Sequence, residues 1–416
     1  MEQLDTGAIE QAYGGGGSPP YPPKMMLALL FYCYAKGIFS TRKIEQATYE
    51  LIPVLFITGG THPDHDSINT FRKRFLGELS DLFVKLLLIA HGMGLLKLGD
   101  ISMDGTKIKA NASKHKAMSW EYACQLEAQL RSEVEELIRR AAESESRQGQ
   151  QEINIPAELQ RRETRLEKIA EVKSELERRA AERFAQEQAE YVAKLKEREE
   201  KEHSRGRKLG GKAPTAPEPG PQAKDQANFT DEDSRIMPTA SGFEQAFNAQ
   251  ASVDIATMLI VGQHVSQHPN DKQEVVPALN VLSRLPDDLG SIAKAAADSG
   301  YFSKDNTQQF EKANIEPYMP NGRQHHNTTL EERFAKAPEA PKDPDSVGAM
   351  AHRMKTEAGK EFYAQRKSTV EPVFGIIKEV IGFRRFMLRG LDAVRGEWTL
   401  VCMAFNLKRL CVLRFV

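Results

Sequence analysis

Residues 116–201 form a long run of charged helical sequence, set between segments whose apolar residues alternate. Leu126, Leu130, Val134 and Leu137 make one apolar stripe, and Leu159, Leu166, Ile169, Val172, Leu176, Phe184, Tyr191 and Leu195 make a second. Residues three and four apart share a helix face, so each stripe asks for a partner helix. Residues 144–155 between them are polar, and Pro156 suits a first helical turn. The pattern predicts an antiparallel, coiled-coil-like hairpin whose charges are solvated faces. Residues 204–227, with GRKLGGKAPTAPEPGPQ, are too rich in Gly and Pro for regular structure, so the insert ends there. Whatever domain surrounds this hairpin is interrupted by it.

The interrupted domain reads as α/β. Over residues 95–110 the period changes, with Ile101, Met103, Ile108 and Ala110 around Asp104 and Gly105. Phe243, Phe247, Ala249, Ala251 and Val253 alternate with Glu244, Asn248, Gln250 and Ser252, the pattern of a half-buried strand. Residues 257–265 predict a more apolar strand and residues 271–285 a helix. Residues 291–297 are ambiguous: their alanines favour helix, and their place after a helix favours a strand. Ser303 caps a predicted helix to Ala313, residues 317–320 are extended, and 321–347 form a polar loop. A final apolar helix over 397–413 is expected to pack on the sheet.

Ahead of this lies helical sequence. Residues 14–23, GGGGSPPYPP, cannot hold a helix and make residues 1–23 a tail and linker. Helices are predicted over 24–36, 41–49 and 79–91. Asp66 is the expected N-cap of another, which carries Ile68, Phe71 and Phe75 beside Arg72, Lys73 and Arg74. Two readings stand here, a DNA-binding module that presents Arg72 and Arg74, or an ordinary helical bundle. His62 and His65, three apart, are a metal pair or exposed turn residues.

Composition narrows the partners. The formal charge of −1 hides a surplus in residues 351–416, where thirteen Lys and Arg face six Asp and Glu, a basic region suited to a polyanion or merely to solvent. Cys33, Cys124, Cys402 and Cys411 show no CxxC spacing and are expected to be reduced and structural, which argues against zinc. No apolar run reaches the roughly 20 residues that span a bilayer. No signal peptide precedes MEQLDTGAIE, so a cytoplasmic location is expected, without membrane contact.

The chemistry concentrates in residues 362–387, FYAQRKSTVEPVFGIIKEVIGFRRFM, where Glu371 stands seven residues before Lys378, on one helical face and among Arg366, Lys367, Arg384 and Arg385. A carboxylate among cations suits metal-assisted work on phosphates. Asp104 in ISMDGTKIKA and Asp298 in AKAAADSGYFS end strand-like segments and can complete one metal site. Each acid also has a plain structural reading. Asp104–Gly105 is a hairpin signal, Asp298 a turn-former, and Ser368 with Glu371 a capping box.

The order strand, hairpin, strand, strand, helix, acid-ended strand and glutamate-bearing helix is the layout of an RNase H-like fold. With MDGTKIKANAS, NFTDEDSRIM, GFEQAFNAQASVD, ADSGYF and TVEPVFGIIK, the chain from about Tyr13 onward resembles bacterial insertion-sequence transposases of the DDE class. Tyr363, Arg366, Glu371 and Lys378 are similar to that family's Tyr, Arg, Glu, Lys signature. Arg366, however, precedes Glu371 by five residues where the family has four, and Lys367 holds the expected place. Relatives of this kind extend further upstream of the point matching Met1.

The resemblance implies an RNase H-like mixed sheet flanked by helices, an all-α N-terminal domain and an inserted helical hairpin. The expected divisions are 1–23 tail, 24–94 helical DNA-binding domain, 95–115 first part of the core, 116–227 insert with its Gly/Pro-rich loop, and 228–416 second part of the core. It implies two Mg²⁺ ions, replaceable by Mn²⁺, with Asp104 bridging both and Asp298 and Glu371 each holding one. Lys378, Arg366 or Lys367, Tyr363 and Lys107 would meet DNA. The implied reaction is cleavage at transposon ends and transfer of the 3′-hydroxyl into target DNA, by a nucleoid-associated homodimer or larger assembly on double-stranded DNA. An RNase H-like nuclease and an inactive, N-terminally shortened DNA-binding remnant are the alternatives.

Overall fold

The computed structural model describes residues 4, 6–11, 21–145, 155–207, 210, 213–239, 242–322, 339, 341–342 and 344–414. Most of the expected linker, hairpin tip and 321–347 loop lies outside them. The chain divides into two compact units, Ala112–Arg235 and the remainder.

In the Ala112–Arg235 unit, α7 (Trp120–Glu145) and α8 (Ile155–Arg205) follow a short antiparallel pair, in which β2 (Ala117–Ser119) meets β3 (Gln226–Asn228). Ala123, Leu126 and Leu130 interlock with Ile169, Val172 and Leu176, at alternating steps of three and four along each helix. Cross-helix pairs Glu133–Arg162 at 2.8 Å and Glu127–Lys173 at 2.7 Å fix an antiparallel register. The second stripe was expected to stay apolar-packed to Leu195. Instead Phe184, Tyr191 and Leu195 are only half-buried, because α8 has 51 residues and its partner 26.

The larger unit is built on a six-stranded sheet. Its central strand β1 (Leu98–Lys109) pairs antiparallel with β5 (Gly242–Asp254) and parallel with β7 (Gly290–Ala296). Outside these, β6 (Ile260–Ser266) runs antiparallel to β5 and β8 (Glu316–Tyr318) parallel to β7, while β4 (Arg235–Thr239) also borders β5. Asp104 and Gly105 pair directly with Ala251 and Gln250, so β1 passes straight through the dipeptide and no hairpin forms. Residues 290–296 form a strand despite their alanines because ladders on both sides supply partners that an isolated helix there would lack. β5 is not half-buried: Asn248, Gln250 and Ser252 are as buried as their apolar neighbours. Its polar side chains turn into a hydrogen-bonded layer rather than to water, as buried amides require.

The helices of the first hundred residues belong to this unit. They are α1 (Gly7–Gln11), α2 (Pro23–Ala35), α3 (Thr41–Glu50), α4 (Ile52–Thr58), α5 (His65–Arg74) and α6 (Leu79–Gly92). The cap of α5 is Asp64, whose carboxylate accepts the amides of Asp66 and Ser67, and not the expected Asp66. His62 stacks on Tyr49 and His65 Nδ1 lies 2.7 Å from Glu45, so both rings are engaged by α3. Later come α9 (Val275–Leu282), α10 (Lys304–Lys312), α11 (Ser346–Arg353), α12 (Glu357–Ala364), α13 (Val370–Gly375) and α14 (Leu391–Leu413).

α14 carries the join between helices and sheet. Trp398 Nε1 donates to Gln250 O at 3.0 Å, and Asn406 bonds both backbone groups of Ile260. On its other side Tyr34 donates to Glu397 at 2.9 Å, and the rings of Tyr34, Phe39, Phe383, Phe386 and Phe247 follow one another at 5.1–5.8 Å from α2 to β5. Among the described residues no helix is long and apolar enough to cross a membrane.

Candidate active site

The last parallel pair between β1 and β7 is Ser102 with Ala296, and two residues further along each strand stand Asp104 and Asp298. Asp104 thus lies within β1 and Asp298 just past the end of the adjacent β7, near enough for the Asp298 charge to act on Asp104. Asp104 Oδ1 accepts its neighbour's amide, Gly105 N, at 2.9 Å. Its Oδ2 lies 3.5 Å from Arg366 Nη2. Burial pushes this carboxyl up to about 6, with Asp298 and Asp271 adding to the rise and Arg366 and the Gly105 amide opposing it. Asp298 is half-buried and accepts Gly300 N at 2.8 Å, capping the turn Ser299–Tyr301.

Arg366 is buried on a short 3-10 turn, Gln365–Ser368, between α12 and α13. Burial alone would favour its neutral form, but the charges of Asp104 and Asp298 and the Tyr363 hydroxyl keep it firmly protonated. Its Nη1 donates to Tyr363 OH at 3.2 Å. Burial raises the Tyr363 phenol, and nearby Asp298 and Glu371 raise it further against Arg366. Tyr363 therefore stands within electrostatic reach of the second and third acids.

Glu371 is exposed in the first turn of α13, a helix packed along β1 and β5. Among the described residues its side chain makes no hydrogen bond or ion pair. The capping box does not form: Ser368 donates instead to Gln365 O, and Thr369 precedes the helix without a side-chain cap. Lys378 lies on a π-turn, Ile376–Val380, and its Nζ donates to Thr106 Oγ1 and to Lys107 O. Burial lowers its pKa against the pull of Asp104. Lys367 and Arg74 face solvent.

One expected DNA contact is overturned. Arg72 is 5% exposed, donates to Tyr34 OH, Phe39 O and Asn69 Oδ1, and lies 3.9 Å from Glu397. Its place on the inward face of α5, one step after Phe71, makes it an internal cation rather than a ligand of phosphate.

Several participants were not singled out from the sequence. Asp271 Oδ1 accepts Asn248 Nδ2 and Gln250 Nε2, both at 2.8 Å, and Lys107 Nζ at 3.3 Å. Tyr301, fully buried, donates to Gln250 Oε1. Gly105 makes this layer possible, since a Cβ there would stand 2.0 Å from Gln250 Nε2 and 2.8 Å from Asp271 Oδ1. The alternation of Asn248, Gln250 and Ser252 along β5 was the available signal, but a polar face reads as a solvated one until the sheet shows that it is covered.

Among the described residues no three His, Cys, Asp or Glu form a group ready to hold a metal ion. The donor set nonetheless fits a hard divalent cation. Asp104 has Asp298 and Asp271 close enough to raise it, with Arg366, Lys107 and Lys378 as the cations around them. Hard carboxylate oxygens are what Mg²⁺ and Mn²⁺ bind.

Residues 341–411 match the family model described as a transposase DDE domain, and residues 1–74 match a transposase domain of the DUF772 type. No curated protein and no solved structure matches the chain. The first match spans Tyr363, Arg366, Glu371 and Lys378, and the second spans the helices up to Arg74. DDE transposases generally work on DNA with divalent metal ions. Both models describe transposase domains, one at each end of the chain, and together the matches indicate an insertion-sequence transposase of the DDE class.

Proposed function

We propose that this transposase cleaves DNA at the ends of its element and joins the freed 3′-hydroxyl to target DNA, with Asp104, Asp298 and Glu371 as its acidic triad. The observation that carries the reading is that Asp104 within β1 and Asp298 just past the adjacent β7 stand two residues beyond the same paired register, near α13, whose Glu371 has no hydrogen bond or ion pair among the described residues. The strand order β6–β5–β1–β7–β8, antiparallel on one side of β1 and parallel on the other, supports an RNase H-like core.

Asp104, Asp298 and Glu371 would hold two Mg²⁺ ions, which supply an activated attacking oxygen and stabilise the leaving one. In cleavage a water oxygen attacks the phosphorus and the P–O3′ bond breaks, leaving a 3′-hydroxyl. In joining, that hydroxyl attacks a target phosphodiester and displaces its 3′ oxygen. Arg366, held protonated beside Asp104, faces the charge that develops on the phosphate, and Lys378 fixes the strand by its bonds to Thr106 and Lys107. Tyr363 orients Arg366, while Lys367, Lys107 and Arg74 are further phosphate contacts. The acting species is a homodimer or larger assembly on paired ends.

The test is strand transfer in Mg²⁺ or Mn²⁺, with DNA carrying the element ends, a plasmid target, and Asp104→Ala, Asp298→Ala and Glu371→Ala beside the parent. Joined products made by the parent and lost in all three variants support the proposal. Cutting without joining identifies a nuclease, and binding with neither identifies an inactive DNA-binding protein.

A further inference from the structure

A cavity of about 1100 Å³ opens on the β6 side of the sheet, lined by Lys73 at the end of α5, His264 and Ser266 of β6, Arg284 after α9, and Arg389 and Arg395 around the start of α14. It lies two strands from β1 and shares no lining residue with the acidic site. Its floor is closed by the approach of α14 to the α5–α6 connection, where a Cβ on Gly396 would come within 2.5 Å of Leu76 Cβ.

The charges of the floor and the rim differ in kind. Glu274 is fully buried and already spent, accepting His264 Nε2 and His268 Nδ1 at 2.8 Å and Ser266 Oγ at 2.7 Å. Arg395 is paired with Asp392, and Arg389 donates to Asn111 O. Lys73 and Arg284 are exposed, and among the described residues no carboxylate pairs with either. The groove thus presents cations with no carboxylate partner over a floor whose one buried acid is engaged by His264, His268 and Ser266. Phosphates spaced along a duplex backbone match cations spread along a rim better than one compact anion does.

We infer that this groove is a second DNA-backbone site, separate from the acids, with Lys73 and Arg284 as its principal phosphate contacts. The inference rests on the transposase reading and adds to it where a further stretch of duplex is held.

The experiment is fluorescence anisotropy of full-length protein with a labelled random-sequence duplex across a salt series, comparing the parent, Lys73→Glu/Arg284→Glu, and Lys408→Glu as an exposed cation outside the groove. Loss of two phosphate contacts predicts a salt slope shallower by about 2 and roughly tenfold weaker binding in the double variant, with Lys408→Glu unchanged. Melting curves of all three proteins check that the exposed substitutions leave the fold intact. An unaltered slope and affinity in the double variant overturns the groove and leaves the transposase reading standing. An equal loss in Lys408→Glu overturns it as diffuse charge, and a parent with no salt-dependent DNA binding overturns both.

Discussion

Arg366 Nη2 lies 3.5 Å from Asp104 Oδ2, so the cation facing the first acid is the residue five before Glu371, and Lys367, four before it, faces solvent. The spacing of the motif and the direction of its side chains disagree. A 3-10 turn, with its tighter winding, aims Arg366 inward and leaves Lys367 outside.

Arg366→Met is therefore expected to lower strand cleavage by about a hundredfold or more, the range for removing a preorganised charge at a reacting centre. Lys367→Met should lower it less than about tenfold, as one exposed phosphate contact. Initial rates of nicking on end-bearing DNA decide between them, and the reverse ranking would return the signature role to Lys367.

Asp104→Asn should abolish cleavage yet make the metal-free protein more stable. An acid whose folded pKa is raised from 3.8 to about 6 opposes folding once ionised. The penalty is absent below pH 3.8, grows as pH rises to 6, and above that stands at about 3 kcal/mol. Urea unfolding in chelator at pH 7.5 should show the gain and at pH 4 should show little. An Asn variant less stable at both values would contradict the placement of Asp104 among acids.

Glu274 behaves in the opposite sense. Burial would raise its carboxyl, but the bonds from His264, His268 and Ser266 outweigh that and hold it down to about 2. Its stabilisation, roughly 3 kcal/mol, is complete above pH 4.5 and lost as pH falls toward 2. Glu274→Gln should be less stable at pH 6 by about that amount, with a flatter acid limb in denaturant midpoints between pH 4.5 and 2.5.

Arg72→Met leaves Glu397 buried without its cation and should destabilise by roughly 3–5 kcal/mol, whereas Arg72→Met/Glu397→Gln should regain much of the loss. Thermal melts measure both. DNA affinity of the folded single variant should match the parent, because Arg72 does not reach the surface.

The sequence made the strands and acids legible to different degrees. The helical insert was visible because its stripes repeat over many turns, whereas the alanines before Asp298 speak for helix as much as for strand, and the capping box expected at Glu371 does not form. The course of β1 through Asp104–Gly105 was not legible, since a local hairpin signal is overridden only when β5 arrives from beyond the insert to pair with both residues. Asp271 was hidden for the same reason. Its bonds to Asn248, Gln250 and Lys107 join positions far apart in the chain, and nothing in its own neighbourhood foretells them.

The three-residue pairing of β2 with β3 has a consequence for how the sheet assembles. Lys109 must find Ala246 across on the order of 130 intervening residues, and closing so long a loop costs roughly 3 kcal/mol more than closing a four-residue hairpin. If Ala117 meets Asn228 first, with α7 and α8 zipped between them, most of that length is tied off before β1 and β5 meet. The central ladder then closes a short loop in place of a long one, so the insert lowers the entropic barrier to forming the sheet that it interrupts.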